Sequence, residues 1–212
     1  MTGPELPSSP GVAAFDFDGT LVAGDSLRPF LIALLGRPAM ADALLRAASP
    51  MLRAYVRGGR DEAKAALLHR TLAGISLERA TTVGTRFGAS LAGRIRPQML
   101  EEIRWHRSRD HRLIVVSASL TVYLDEFARR AGFHQVIASR LAVTGSGPGA
   151  VLSGSLEGAN VRGHEKERRL RRVLGHGPCE LWAYGDSDGD REMLAMADHA
   201  YRVSRRRPGG AR

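Results

Sequence analysis

Residues 12–20 read VAAFDFDGT, and this stretch decides the fold. Four apolar residues run into Asp16, Asp18 and Gly19, which predicts a short buried strand that ends in a loop. A turn at Asp18-Gly19 can bring the second carboxylate back over the first. One carboxylate can then attack as a nucleophile while the other handles protons. An Asp-Gly turn that only ends a strand is the alternative.

The rest of the chain alternates predicted strands and helices. Apolar runs predict strands at 112–117, 135–138, 180–184 and 200–203, and helices from 97 onward and at 120–131, 163–174 and 191–197. Residues 141–156 fit a hairpin or an irregular loop. This alternation implies a parallel sheet covered on both faces, with ligands beyond the carboxyl ends of the strands. Asp16, Ser117 and Asp186 end three of these strands and are expected to share one rim.

A helical block separates the first strand from the others. Residues 26–94 are rich in Ala, Leu and Arg at helical spacing, with breaks expected at Pro38, Pro50, Gly58-Gly59 and Gly74. Because no strand is predicted in it, the block is expected to be an inserted cap over the rim.

A second acidic motif, GDSDGD at 185–190, also follows a predicted strand. Clustered carboxylates favour a hard cation, since unpaired buried charges are costly. A calcium-binding helix–loop–helix is rejected because Arg191 stands where that loop needs glycine and Ala197 where it needs glutamate. A solvated turn that caps the following helix is the remaining alternative. With the first acidic pair at the same rim, the motif favours a shared Mg²⁺ site.

Two further motifs suit a phosphate. VVSAS at 115–119 offers the Ser117 hydroxyl and backbone N–H groups where a helix is expected to begin, although a serine there is often only a helix cap. GHEK at 163–166 carries Lys166 in an arginine-rich helix, which is otherwise interpreted as solvated surface.

Charge is concentrated in two segments of this 212-residue chain. The net charge is +9, and only Lys64 and Lys166 among the 31 cationic residues are lysine. Residues 162–172 carry a net +4 and residues 202–212 a net +5, so the remainder is neutral. This distribution disfavours a nucleic-acid-binding domain, which would show a broad basic face.

Composition excludes several other classes. No apolar run approaches the roughly 18 residues of a membrane helix, and the first residues lack the pattern of a secretory signal. One cysteine, Cys179, forms neither an intrachain disulfide nor a cysteine-based zinc site. We therefore expect a soluble cytoplasmic protein with neither nucleic acid nor membrane as partner.

In their order and spacing, the four motifs resemble the haloacid dehalogenase superfamily, most closely the phosphoserine phosphatase-like branch, subfamily IB. The resemblance spans residues 15–203. It implies an α/β fold, with a Rossmann-like three-layer parallel-sheet core at 1–25 and 96–212 and an inserted α-helical cap of the C1 type at 26–95. Residues 204–212 are expected to be a flexible basic tail.

The resemblance also implies a role for each motif residue. Asp16 would be the nucleophile that forms an aspartyl-phosphate, and Asp18 the acid and base. Phosphate would be held by a set of five residues: Ser117, Ala118, Lys166, Gly19 and Thr20. Mg²⁺ would be bound by Asp16, Asp186 and the Asp18 backbone carbonyl, with Asp190 in support.

Asp18 separates reactions within the superfamily. P-type ATPases carry threonine at this position and the dehalogenases lack the acid, so the resemblance implies a Mg²⁺-dependent phosphomonoester hydrolase of a small phosphorylated metabolite. A phosphotransferase would share every one of these residues. A non-catalytic protein that binds through Arg205-Arg206-Arg207 is the alternative from another class.

The substrate is less well defined. Phosphoserine phosphatases have serine where this chain has Gly19. Asp25 falls where their cap glutamate binds the substrate amine, and Lys64 lies near the place of their carboxylate-binding arginine. Arg53, Arg57 and Arg60 continue the spacing of Lys64 and suggest either an anion-binding face or solvated surface.

Overall fold

A computed structural model describes residues 11–204, so the amino-terminal ten residues and the Arg205-Arg206-Arg207 tail lie outside the described part. The strands are β1 (Gly11–Phe15), β2 (Arg112–Leu120), β3 (Gln135–Ser139), β4 (Leu141–Thr144), β5 (Val151–Leu156), β6 (Glu180–Gly185) and β7 (His199–Arg202). The helices are α1 (Leu27–Leu35), α2 (Arg37–Leu72), α3 (Leu77–Ala92), α4 (Pro97–Arg107), α5 (Thr121–Ala131), α6 (His164–Leu174) and α7 (Arg191–Ala195). The predicted α/β order is confirmed.

Five strands form one parallel sheet in the order β3-β2-β1-β6-β7. The strand β1 is central because Phe15 pairs with Val115 on one side and with Tyr184 on the other. The remaining strands, β4 and β5, form the antiparallel hairpin that was one of the two expectations for residues 141–156.

Alternate residues of the sheet belong to two separate cores. Ala13 and Phe15 pack with the apolar side chains of α1 to α5, whereas Val12 and Ala14 pack with α6 and α7 through Leu170 and other residues. Successive side chains of a strand point to opposite faces, so both faces of this sheet are buried. The three-layer arrangement is confirmed.

The block between β1 and α4 is helical throughout, as expected. Its ends meet at an isolated antiparallel bridge between Val22 and Ile95, and the turn after α2 bonds to the hairpin through Gly74 N–H and the Leu152 carbonyl, 2.9 Å apart. The break at Gly58-Gly59 is found as non-helical backbone at Gly59. The break expected at Pro50 is wrong, since α2 continues through this position. Pro50 leaves the carbonyl of Arg46 without its usual helical donor, and because Arg46 is exposed, water can replace the lost bond.

Two glycines bring α3 against α5. A Cβ at Gly84 or Gly88 would collide with the backbone carbonyl of Val122 or Tyr123. Small residues four apart let two helix backbones approach closely, so this contact fixes the helical block beside the carboxyl end of β2. Within residues 11–204, no helix is both long and apolar enough to cross a membrane.

Candidate active site

The acidic motifs meet at the carboxyl end of the central strands. Asp16 follows β1, and its backbone N–H donates to the Tyr184 carbonyl of β6 at 2.8 Å. Asp186 follows β6, and both aspartates are buried, with 6% and 8% of their surface exposed. Adjacent parallel strands end at the same edge, so the shared rim expected for these two residues is confirmed.

Lys166 reaches this rim from α6 on the opposite side of the sheet from α5. Its Nζ lies 2.5 Å from Asp16 Oδ1 and 2.6 Å from Asp190 Oδ1, and the side chain is 2% exposed. Burial alone would lower the pKa of Lys166, but the two carboxylates outweigh burial and raise it. Burial raises the pKa of Asp16, although the ammonium opposes the change. The two carboxylates therefore favour the charged form of Lys166 in this buried position.

Asp190 is fixed by the turn that begins its helix. Its Oδ2 accepts hydrogen bonds from Ser187 N–H at 2.9 Å, Ser187 Oγ at 2.8 Å and Asp186 N–H at 3.2 Å. Burial would raise the pKa of Asp190, but Lys166 and the Ser187 hydrogen bonds outweigh it and lower the pKa. The acidic turn is thus locally ordered, as well as capping a helix.

These carboxylates form a group that suits a cation. Ligand atoms of Asp16, Asp186 and Asp190 all lie within 4.8 Å of one another. Three buried carboxylate oxygens are a donor set for a hard divalent cation such as Mg²⁺. This group differs in one ligand from the set that the resemblance implies: it includes the Asp190 carboxylate, whereas the resemblance implies the Asp18 backbone carbonyl.

Gly19 makes room for this group. Its φ of +86° lies in the left-handed region, and a Cβ there would collide with the Asp186 carboxylate. The turn is closed by a bond from Gly19 N–H to the Val22 carbonyl at 2.8 Å. Thr20 Oγ1 donates to Asp16 Oδ2 at 3.2 Å, so Thr20 acts on the carboxylate in this structure.

Asp18 lies beside the buried carboxylates without joining them. Its Oδ2 accepts from Ser119 Oγ at 2.5 Å and from Ser26 Oγ at 3.0 Å, whereas Oδ1 has no hydrogen-bond partner among the described residues. Burial raises the pKa of Asp18 to about 7, although both serine hydroxyls oppose the shift. A carboxyl group that holds its proton near neutral pH is suited to general acid catalysis.

The serine motif differs from expectation in one respect. Ser117 was expected at a strand end where a helix begins, but β2 continues irregularly to Leu120 and α5 begins at Thr121. The buried Ser117 Oγ accepts from Ser119 N–H at 3.0 Å, which orders the connecting segment. The register shift between Ser117 and Leu120 accommodates the extra residues of this segment within the strand.

The two substrate candidates face the same region. Lys64 Nζ donates to the Ala118 carbonyl at 2.5 Å and to Asn160 Oδ1 at 2.6 Å, which connects α2 to the rim. Burial lowers the pKa of Lys64 to about 8, while the charges of Asp18 and Asp25 are among those that oppose the shift. Lys64 is therefore close enough to both aspartates for their fields to act on it.

Asp25 is exposed and caps α1, because its Oδ2 accepts from Arg28 N–H at 3.1 Å. It also lines a cavity of about 370 Å³ beside Asp18, whose walls include Gly19 and Arg96. A larger cavity of about 510 Å³ lies between α3 and the β4–β5 hairpin and contains none of the candidate residues.

The arginine face expected next to Lys64 is exposed. Arg53 and Arg57 are separated from Lys64 by the break at Gly59, and Arg60 follows that break directly. Their exposure favours solvated surface over an anion site.

Sequence reasoning missed four residues around this rim. Arg96 donates to the Gly19 carbonyl at 2.6 Å, Asn160 holds Lys64, and Tyr123 and Ser26 share a hydrogen bond of 2.9 Å. Each acts through a contact distant in sequence, so no local pattern identifies it. Of the four, Ser26 stands at a helix start, where a serine is typically a cap.

Comparisons with known proteins agree with this architecture. A model of the haloacid dehalogenase-like hydrolase family matches residues 13–195. Protein CicA of Caulobacter vibrioides, in two strains, is 36% identical over 211 residues, which cover 98% of this chain and 92% of CicA.

Two solved structures share the fold at lower identity. A protein of unknown function from Bordetella pertussis Tohama I has a TM-score of 0.71 at 22% identity, covering 89% of this chain and 87% of that one. A phospho-aspartyl intermediate analogue of phosphoserine phosphatase has a TM-score of 0.59 at 18% identity, covering 90% and 84%. The family model spans every motif from β1 to α7, and with it the buried lysine and carboxylates at the rim. The chain belongs to the haloacid dehalogenase-like hydrolase family.

Proposed function

We propose that this protein is a Mg²⁺-dependent phosphomonoester hydrolase that acts on a small phosphorylated metabolite through an aspartyl-phosphate at Asp16. The single observation that carries the proposal is the buried Lys166 ammonium, 2.5 Å from Asp16 and 2.6 Å from Asp190. A fixed cation beside a nucleophilic carboxylate offsets the charge on the equatorial oxygens of a transferring phosphoryl group.

In the first step a carboxylate oxygen of Asp16 attacks phosphorus. The bond between phosphorus and the leaving oxygen breaks, and its electron pair stays on that oxygen. Asp18 gives its proton to the same oxygen, so the alcohol departs neutral. The Ser117 hydroxyl, the Ala118 and Gly19 backbone and Thr20 would hold the phosphoryl oxygens beside Lys166.

In the second step the Asp18 carboxylate takes a proton from water as the water attacks phosphorus. The bond between phosphorus and Asp16 breaks, which releases phosphate and returns Asp18 to its protonated form. The Asp18 pKa of about 7 supports both halves of the cycle, because either protonation state is accessible near neutral pH.

Asp16, Asp186 and Asp190 would hold the Mg²⁺ ion, with the Asp18 backbone carbonyl as a further ligand. Three carboxylate oxygens within 4.8 Å of one another support this assignment. When bound, the ion would supply positive charge that lowers the repulsion between the carboxylates and the phosphoryl oxygens.

Substrate choice is assigned to a helical cap at residues 26–95. Support comes from Lys64, which spans the gap between α2 and Ala118, and from Asp25, which lines the neighbouring cavity. An acidic and a basic group together suit a small metabolite that carries both signs of charge. Phosphoserine is one such compound, and the structural likeness to phosphoserine phosphatase supports the fold of such an enzyme rather than its substrate.

A phosphotransferase remains a second candidate, because Asp18 can deprotonate an alcohol acceptor as readily as water. Adding increasing concentrations of a simple alcohol and analysing the products separates the two. Formation of inorganic phosphate alone supports the hydrolase. Residues 205–212 lie outside the described part of the chain, and if the proposal holds, deleting residues 204–212 should leave hydrolysis unchanged.

The test of the proposal is Asp16→Asn. Mg²⁺-dependent release of 4-nitrophenol from 4-nitrophenyl phosphate should fall at least about 10³-fold, since the nucleophile is lost. Asp188→Asn changes an exposed aspartate of the same rim and serves as the matched control. Full activity in Asp16→Asn, or activity that persists in a chelator, would overturn the proposal.

A further inference from the structure

Ser26 stands at the start of α1 but does not cap it. A serine in this position normally accepts a hydrogen bond from a backbone N–H two or three residues later. Here the Ser26 side chain makes no such bond, and Asp25 accepts from Arg28 N–H instead. Local rules of this kind are most often broken where a side chain has another task.

The Ser26 hydroxyl instead belongs to a buried network around Asp18. Ser26 Oγ lies 3.0 Å from Asp18 Oδ2, 2.9 Å from Tyr123 OH and 3.1 Å from Ser119 Oγ. Ser119 Oγ lies 2.5 Å from the same Asp18 Oδ2. Ser26, Ser119 and Tyr123 are 2%, 5% and 0% exposed, so water does not compete for these bonds.

Counting protons gives the network a direction. Each serine has one hydroxyl proton, and both donate to Asp18 Oδ2, so the 3.1 Å approach of the two serine oxygens is a contact without a shared proton. The Ser26 oxygen is then free to accept, so Tyr123 donates to Ser26. Both acceptor positions of Oδ2 are occupied, which leaves Oδ1, with no partner among the described residues, to carry an exchangeable proton.

We propose that Ser26 and Ser119, with Tyr123 acting through Ser26, are positioning residues that confine the transferable proton of Asp18 to Oδ1. This inference rests on the proposed function, because it assigns these residues to the acid step. The Tyr123 ring is itself held by Phe30 of α1 and Phe87 of α3, with ring centroids 5.0 and 5.3 Å away. The helical block therefore supports the orientation of Asp18.

The experiment compares two aryl phosphates that differ in the leaving group. 4-Nitrophenol leaves readily as the anion without receiving a proton, whereas the departure of phenol depends more strongly on protonation. Because kcat/KM reports the steps up to departure of the leaving group, only phenyl phosphate should be sensitive to loss of the acid. The variants are Ser26→Ala and Tyr123→Phe, and the second removes a single oxygen atom.

Tyr184→Phe is the matched control. It also removes one buried tyrosine hydroxyl. The Tyr184 ring stacks on Phe15, and its hydroxyl bonds to Glu102 and His106 rather than to the network around Asp18. It should leave the ratio of the two kcat/KM values unchanged.

We expect Ser26→Ala and Tyr123→Phe to lower kcat/KM for phenyl phosphate about 10-fold, and for 4-nitrophenyl phosphate less than about 2-fold. An equal loss with both substrates would mean a merely structural role and would overturn the inference, as would no loss with either. If wild-type protein hydrolyses neither ester, the proposed function itself fails. If Ser26→Ala does not fold, Tyr123→Phe decides alone.

Discussion

Replacing Asp18 by asparagine should stabilise the metal-free protein at about pH 8, although it removes the proposed acid. Burial raises the pKa of Asp18 from 3.8 to about 7, so the folded protein binds this proton more tightly than the unfolded chain does. Its contribution to stability is complete below the unfolded pKa and is lost as pH rises through the folded pKa. Asparagine is neutral at every pH and escapes this loss.

The magnitude follows from the shift. One pKa unit corresponds to about 1.36 kcal/mol, and the three units between the two values give about 4 kcal/mol. Asp18 as a residue is only partly buried, which reduces the effect, so we expect about 2–4 kcal/mol at pH 8. Near pH 4 the variant and the wild type should be almost equally stable.

Urea denaturation followed by circular dichroism, in chelator and at several pH values between about 4 and 8, measures this difference. Asp188→Asn removes an exposed carboxylate paired with Arg202 and should change stability by less than about 1 kcal/mol at any pH. If Asp18→Asn destabilises the protein at pH 8, or if the difference does not grow with pH, then burial does not control this carboxyl group.

Three other substitutions test the site. Lys166→Met should lower the free energy of unfolding by about 3–5 kcal/mol, because two buried carboxylates lose their partner. Urea denaturation at neutral pH measures this loss, and a loss of less than about 1 kcal/mol would contradict the prediction. Gly19→Ala should weaken Mg²⁺ binding in titration calorimetry, since its Cβ would collide with the Asp186 carboxylate, and unchanged affinity would refute the assigned ligand. Lys64→Met should raise KM more than it lowers kcat, whereas Arg60→Met, at an exposed position, should change neither. If steady-state kinetics show the same effect for both variants, Lys64 does not contact the substrate.

The strands around the site were predictable because burial on both faces leaves a simple pattern. The strands β1, β2 and β6 are continuous apolar runs, which is typical of a covered parallel sheet, and their polar ends therefore had to meet. Lys166 stood out in composition as one of two lysines, and its place at the site was implied by the resemblance of the GHEK motif to the family. Here local composition and tertiary position point to the same residues.

The contacts that orient these residues were not predictable. Asn160 bonds to Lys64 across 96 positions and Tyr123 bonds to Ser26 across 97, and no sequence pattern records such distances. Pro50 was misjudged because a helix that is exposed on this side tolerates the lost hydrogen bond. For Ser117 the difference is small: the strand was predicted to end at this residue, but β2 runs on to Leu120 across a register shift that inserts two extra residues.

The crowding of carboxylates at the rim gives a physical reason for the proposed metal ion. Three buried carboxylates lie within 4.8 Å of one another in a region shielded from water, and Lys166 pairs with two of them, Asp16 and Asp190. Proton uptake can neutralise part of this, and the raised pKa of Asp16 shows the tendency. A protonated carboxyl group is a poor nucleophile, so a proton on Asp16 would relieve the charge but oppose the proposed chemistry. A divalent cation would reduce the repulsion between the carboxylates without occupying the attacking oxygen with a proton, so the buried cluster, rather than the basic surface of the chain, supports the proposed Mg²⁺-dependent reaction.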